Sequence, residues 1–194
     1  MLNRLRRVRW YRASPVVRLG VIWIMALLTA ACSPSYNWRE VRSAADAYAV
    51  LMPARTAVMT REIDLDGERV IMAMTGARVD RSLFTVGTIA LAPELGDSVE
   101  RLLAAMREGM LRNIAAPAAT DRAVVVSVLD GTGRVTHRVP AVRVDARGTV
   151  SGQPVRMAAV FVARGARLWQ AVAIEPVEAR DEAATLLDSF RLLE

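Results

Sequence analysis

Few residues in this chain have the types and spacing that chemistry requires, and each has a plainer role to weigh against it. His137 is the only histidine. A Ser-His-Asp or Cys-His arrangement would have to use it, and no nucleophile-elbow motif accompanies it, so a strand-surface histidine is the default reading. One histidine and one cysteine also leave a zinc site short of ligands. Asp64-Leu65-Asp66-Gly67-Glu68 has the spacing of the start of a calcium loop, but the twelfth position counted from Asp64 is Thr75, not a glutamate. A hairpin turn explains the same residues. Glu62 and Asp64, two apart, would share one face of a strand and could act as an acid–base pair, a spacing equally common on solvated edges. Gly131-Thr132-Gly133 is too short for a phosphate loop and leads into a strand, so it reads as a turn. Met59, Met72 and Met74 could gather on one hairpin face. Thioethers are soft ligands suited to Cu(I), although the same alternation makes these residues adaptable core fillers, the preferred reading. The residues therefore predict no catalytic set, no metal and no cofactor: not an enzyme.

The strongest signal lies at the N-terminus. All 26 basic residues are arginines, and six of them (Arg4, Arg6, Arg7, Arg9, Arg12, Arg18) precede residue 32 in a stretch without an acid. From Cys32 onward arginines and acids balance, so the net charge of +6 belongs to the leader. A nucleic-acid binder carries its excess on the folded domain, and that class is excluded. The basic stretch is followed by the apolar run Leu19–Ala31 and then Cys32-Ser33-Pro34-Ser35. This is the order of a secretory signal peptide. As a helix the run would reach about 20 Å, short of the ~30 Å hydrocarbon core, which makes an uncleaved single-pass anchor the weaker alternative. Arg6-Arg7 could suggest twin-arginine export, but Arg9 and Trp10 do not fit that pattern.

The junction Leu28-Thr29-Ala30-Ala31-Cys32 resembles the lipobox of bacterial lipoproteins, Thr29 standing where leucine is most usual. That resemblance implies that residues 1–31 are removed, that Cys32 is lipidated, and that the new amine is acylated. Two or more acyl chains anchor a protein stably, each buried methylene contributing ~0.8 kcal/mol. Ser33 directly after the cysteine, in place of an aspartate, implies sorting to the outer membrane. A structural thiol is the plainer reading of Cys32; as the only cysteine it can form no intramolecular disulfide.

The elements that would position these residues can be read from periodicity. Residues 32–47 read as the lipidated cysteine and a short tether, the last part helical up to about Ala47, and residues 48–194 as a single domain. Tyr48–Met52 reads as a strand stopped by Pro53. Residues 57–78 read as a hairpin turning at Asp66-Gly67, which sets Leu65 opposite Glu68, Ile63 opposite Val70, Arg61 opposite Met72 and Met59 opposite Met74. One face then gathers Met59, Ile63, Leu65, Val70, Met72 and Met74. Further strands are expected at 83–92, 123–129, 135–144, 155–163 and 167–174. An amphipathic helix is expected at 98–115, with Val99, Leu102, Leu103, Met106, Met110 and Ile114 on its stripe, and a second at 179–189. The expected fold is α+β: an antiparallel sheet packed with helices, behind an N-terminal hydrophobic signal helix.

Tyr48-Ala49-Val50-Leu51-Met52-Pro53 resembles the opening of PsbP-like domains. Phe161-Val162, Arg164-Gly165, Arg167–Val172 and Leu187–Leu192 resemble the close of small bacterial PsbP-like modules. The resemblance covers roughly residues 48–193 and implies an α/β/α sandwich serving as a binding or assembly accessory, with no functional residue to carry over. The sequence as a whole then describes a lipid-anchored envelope protein, held at the outer membrane facing the periplasm and working with an envelope protein partner. A periplasmic carrier of a small ligand or of copper is the alternative. Tyr36 and Trp38, beside the anchor, either dip into the membrane interface or seal the lower edge of the domain.

Overall fold

A computed structural model describes residues 36–194, which form one compact unit. The expected signal peptide 1–31 and Cys32 lie outside the described residues. Ten strands follow in chain order: β1 (Arg39–Ser43), β2 (Tyr48–Met52), β3 (Ala57–Leu65), β4 (Glu68–Val79), β5 (Ser82–Ala90), β6 (Ala119–Leu129), β7 (Val135–Val150), β8 (Gln153–Arg164), β9 (Arg167–Pro176) and β10 (Arg191–Leu193). A 3-10 turn, Pro93–Ser98, leads into helix α1 (Val99–Asn113), and the short helix α2 (Ala183–Ser189) precedes β10. Among the described residues no helix is long and apolar enough to cross a membrane.

The strands make one sheet in the order β1-β2-β10-β6-β7-β8-β9-β5-β4-β3. Every pairing is antiparallel except β10 with β6, which is parallel. The order forces the sheet to curl. β2 and β3 stand eight places apart, which would be about 38 Å in a flat sheet at ~4.8 Å per strand. Only Pro53–Thr56 joins them, and that link can reach no more than about 18 Å. The sheet therefore bends until its two ends approach. Contacts across the curl agree: the Trp169 indole on β9 donates to the Asp46 carbonyl at 2.7 Å, and Tyr36 and Trp38 both set their rings edge-on against Phe84 of β5.

Alternation along β8 and β9 gives the sheet a core on each face. On the concave side Ala158, Val160, Val162, Trp169, Ala171 and Phe84 pack with Leu186 and Leu187 of α2. On the other, Met157, Ala159, Phe161, Leu168 and Val172 pack with Leu102 and Met106 of α1.

This architecture corrects the expected fold class. The described residues are predominantly β, a curled mixed sheet of ten strands, rather than an α+β sandwich of an antiparallel sheet packed with helices. The helices are too few and too short to form layers: α1 has 15 residues and α2 only 7. Side-chain bonds to the backbone shorten the last helix. Arg156 Nη2 donates to the Ala179 carbonyl at 2.9 Å, and the Glu182 amide donates to Glu175 Oε1 at 3.2 Å. These hold residues 179–182 outside the helix. The helical stretch expected before Ala47 is instead edge strand β1, paired with β2 from Arg39–Met52 to Ser43–Tyr48. Ser43 Oγ donates to Asp46 Oδ2 at 2.8 Å and accepts from the Asp46 amide at 3.2 Å, closing the turn between them. The 57–78 hairpin has the expected register throughout, with Asp66 and Gly67 at φ of 55° and 84° as a tight primed turn requires.

Candidate functional site

The alternation of β4 points Val70, Met72 and Met74 toward α1, which lies over this end of the sheet. On α1, Met106 and Met110 are one turn apart and share a face. The two elements enclose a cleft of about 360 Å³ lined by Met72, Met74, Met106 and Met110, with Gln170 of β9 beside them. Charged residues also line it: Arg61 and Asp64 from β3, Asp66 from the turn after it, and Arg112 from α1.

A glycine shapes the floor. Met74 lies opposite Gly87, and Gly87 opposite Gln170, in one row across three strands. A Cβ on Gly87 would stand 3.1 Å from both Cγ and Nε2 of Gln170 and 3.2 Å from Met72 Sδ. The amide and the sulfur therefore both lie directly over the missing side chain. Gln170 is only 5% exposed, yet among the described residues its Nε2 donates to nothing stronger than Met110 Sδ, at 3.8 Å. The Asn113 amide donates to the same sulfur at 3.8 Å. Thioethers are weak acceptors, so the amide nitrogen of a well-buried residue is held short of its usual hydrogen bonding. Thioethers and amides neither titrate nor act as general acids or bases near neutral pH.

A larger hollow of about 500 Å³ opens beside residues 117–120 and is lined by Arg143, Asp145, Arg147 and Arg156. Its charges are mostly engaged in holding the fold. Arg143 meets both oxygens of Asp145 at 3.0–3.2 Å. Arg156 approaches the Glu175 carboxylate at 3.4 Å and donates to the carbonyls of Val177 and Ala179. Burial pushes the Glu175 carboxyl above its ordinary value, against the opposing pull of the Glu182 amide and the Arg156 guanidinium.

The other residues read from the sequence do not converge. His137 is exposed on β7, its Nδ1 at 3.1 Å from the Thr136 hydroxyl. In the calcium-like segment, Asp64 Oδ1 accepts from the Gly67 amide at 3.0 Å and Asp66 pairs with Arg101. Glu62 and Asp64 are both exposed on edge strand β3, and Glu62 lies 4.0 Å from Arg69. Gly131-Thr132-Gly133 closes the β6–β7 hairpin. There Asp130 Oδ1 accepts from the Thr132 hydroxyl and amide and from the Arg134 amide, holding the Asp130 carboxyl below its usual range. Among the described residues, no three His, Cys, Asp or Glu side chains group as metal ligands. Tyr36 stacks on Trp38 at 6.0 Å and both lean on Phe84, so these rings cover the concave core. Met59 departs from the face expected for it: it is 55% exposed at the open end of the hairpin. Met72 and Met74 were legible as a same-face pair, and Met106 and Met110 as part of a helix stripe. That the two pairs face each other, with Gln170 between, was not.

No family model and no curated protein matches the chain. Among solved structures it is similar to the solution structure of cyanobacterial PsbP (CyanoP) from Synechocystis sp. PCC 6803. The two are 12% identical, the match covers 84% of this chain and 95% of that one, and the TM-score is 0.44. The neighbour is thus a PsbP protein, the kind the residue pattern over 48–193 resembles.

Proposed function

We propose that this is a lipid-anchored protein of the cell envelope that acts as a non-enzymatic binding or assembly accessory. The Leu28–Cys32 junction supports the anchor, with Cys32 as the lipidated residue and residues 1–31 as its leader. Ser33 favours the outer membrane, where the domain would face the periplasm. The observation that best supports a binding role is at the open edge of the sheet. Among the described residues β3 has no neighbour beyond it, and Val58 on β3 and Ile71 on β4 are 72% and 62% exposed. Large apolar side chains exposed on an unpaired edge strand and on the strand beside it are features a solitary protein ordinarily blunts, and they fit contact with an envelope protein partner.

Photo-crosslinking residues installed in place of Val58 and Ile71 in intact cells test this. Discrete adducts of higher mass from these two positions, and none from Arg134 on the distant β6–β7 turn, are the expected result. Equal labelling at all three, or none at 58 and 71, would remove the partner reading.

A further inference from the structure

We infer that the cleft between α1 and the β3–β4 hairpin binds a soft monovalent cation, Cu(I), through the thioethers of Met72 and Met110, with Met74 and Met106 completing the set. This goes beyond the anchoring and partner reading and does not depend on it.

Placement is the first support. Seven methionines fall within the described residues, and four of them line this single cleft. They arrive as two pairs, Met72 and Met74 two apart on a strand and Met106 and Met110 four apart on a helix. Each spacing returns a side chain to the same face, so the sulfurs approach from opposite walls. The cleft that these methionines help to line keeps about 360 Å³ open, room in which their flexible side chains can rearrange.

Gln170 supplies the second, independent support. It is buried, it lines the cleft, and among the described residues its Nε2 donates to a thioether alone. A primary amide is a twofold rotor that can present Oε1 to a cation as readily as Nε2 to a sulfur. Gly87 keeps the space free, because a Cβ there would press on Gln170 and Met72 Sδ together. Thioether sulfur is a soft, neutral donor. It selects Cu(I) over the harder divalent ions, and the methionine side chain has the torsional freedom to close around an ion. Binding changes no oxidation state and releases no proton, since a thioether has none to lose. Affinity should therefore be level across the pH range in which cysteine or histidine sites weaken.

The test uses the full chain in detergent carrying Cys32→Ser, which removes the only thiol, with methyl-labelled methionine and Ag(I) as the air-stable probe for Cu(I). The methyl signals of Met72 and Met110 should shift and saturate together at a single equivalent, while that of exposed Met59 stays in place. The Met72→Leu/Met110→Leu pair, nearly volume-conserving, should weaken binding by at least about 100-fold, because losing ligands costs no less than the 10–100-fold lost with the groups that merely support them. Affinity should be equal at about pH 5.5 and about pH 7.5. Unmoved Met72 and Met110 signals at saturating Ag(I), or undiminished binding by the double variant, would overturn the inference. Should the double variant fail to fold, the methyl shifts of the unsubstituted chain decide alone.

Discussion

Gly148→Ala is the substitution that most directly probes how α1 is seated over the sheet. Gly148 lies on β7 opposite Val155, at the place where the chain leaving α1 crosses that strand. Ile114, just past the helix, is fully buried, and its carbonyl accepts from the Thr149 amide at 2.6 Å. A Cβ on Gly148 would be driven into that carbonyl oxygen, with the Ile114 carbonyl carbon at 3.0 Å and the Ala116 nitrogen at 3.2 Å. All three are backbone atoms, so no side chain can swing aside. Overpacking of this kind costs about 1–3 kcal/mol, and the Ile114–Thr149 hydrogen bond, forced apart, adds about 1 kcal/mol. The sum of roughly 2–4 kcal/mol corresponds to a fall in Tm of about 4–15 °C for a domain of this size. Urea unfolding followed by Trp fluorescence, alongside a thermal scan, measures it. Gly131→Ala is the control, because a Cβ there meets nothing within 4 Å and Gly131 is not among the positive-φ residues. A Gly148→Ala protein within about 0.5 kcal/mol of its parent, the range of an ordinary surface change, would refute this account of how α1 docks.

Two further outcomes follow from the same structure. Burial raises the Glu175 carboxyl, so the folded state holds that proton more tightly than the unfolded state does. Its stabilising contribution is complete below the ordinary value of 4.5 and is lost as pH rises through the folded value. In paired urea titrations, stability should drop less from acid to neutral pH in Glu175→Gln than in the parent, and parallel curves would contradict the assignment. Trp169→Phe keeps a ring in the concave core but leaves the Asp46 carbonyl without its 2.7 Å donor. It should lower stability by about 1–2 kcal/mol in the same assay, and an unchanged midpoint would show that the bond across the curl contributes nothing.

The parts of the fold legible in the sequence were those carried by local patterns. Asp66-Gly67 between alternating apolar residues fixed the hairpin register residue by residue, because a two-residue turn leaves only one pairing that keeps the apolar face together. The α1 stripe was legible for the same reason, its period of 3.6 residues being sustained over four turns. What failed depended on distant partners. β1 has a single apolar residue, Val41, in Arg39–Ser43, and is a strand only because β2 supplies its hydrogen bonds. β10 is three residues long and owes its existence to β2 and β6 on either side. The loop at 177–182 has helix-permitting composition, but Arg156 and Glu175 bind its backbone from other strands. Together these turned an expected helix-packed sandwich into a curled, mostly β chain. The cleft was half legible: each methionine pair announces its own face, but the row Met74–Gly87–Gln170 exists only through the pairings of β4, β5 and β9.

The reading of this protein as an anchored accessory stands most directly on Cys32, and the mass of the N-terminal peptide from the membrane fraction tests it, beside a Cys32→Ser variant. An acylated peptide beginning at Cys32 is the expected result, with the variant losing both its processing and its membrane association. An intact leader with an unmodified Cys32 thiol would contradict it.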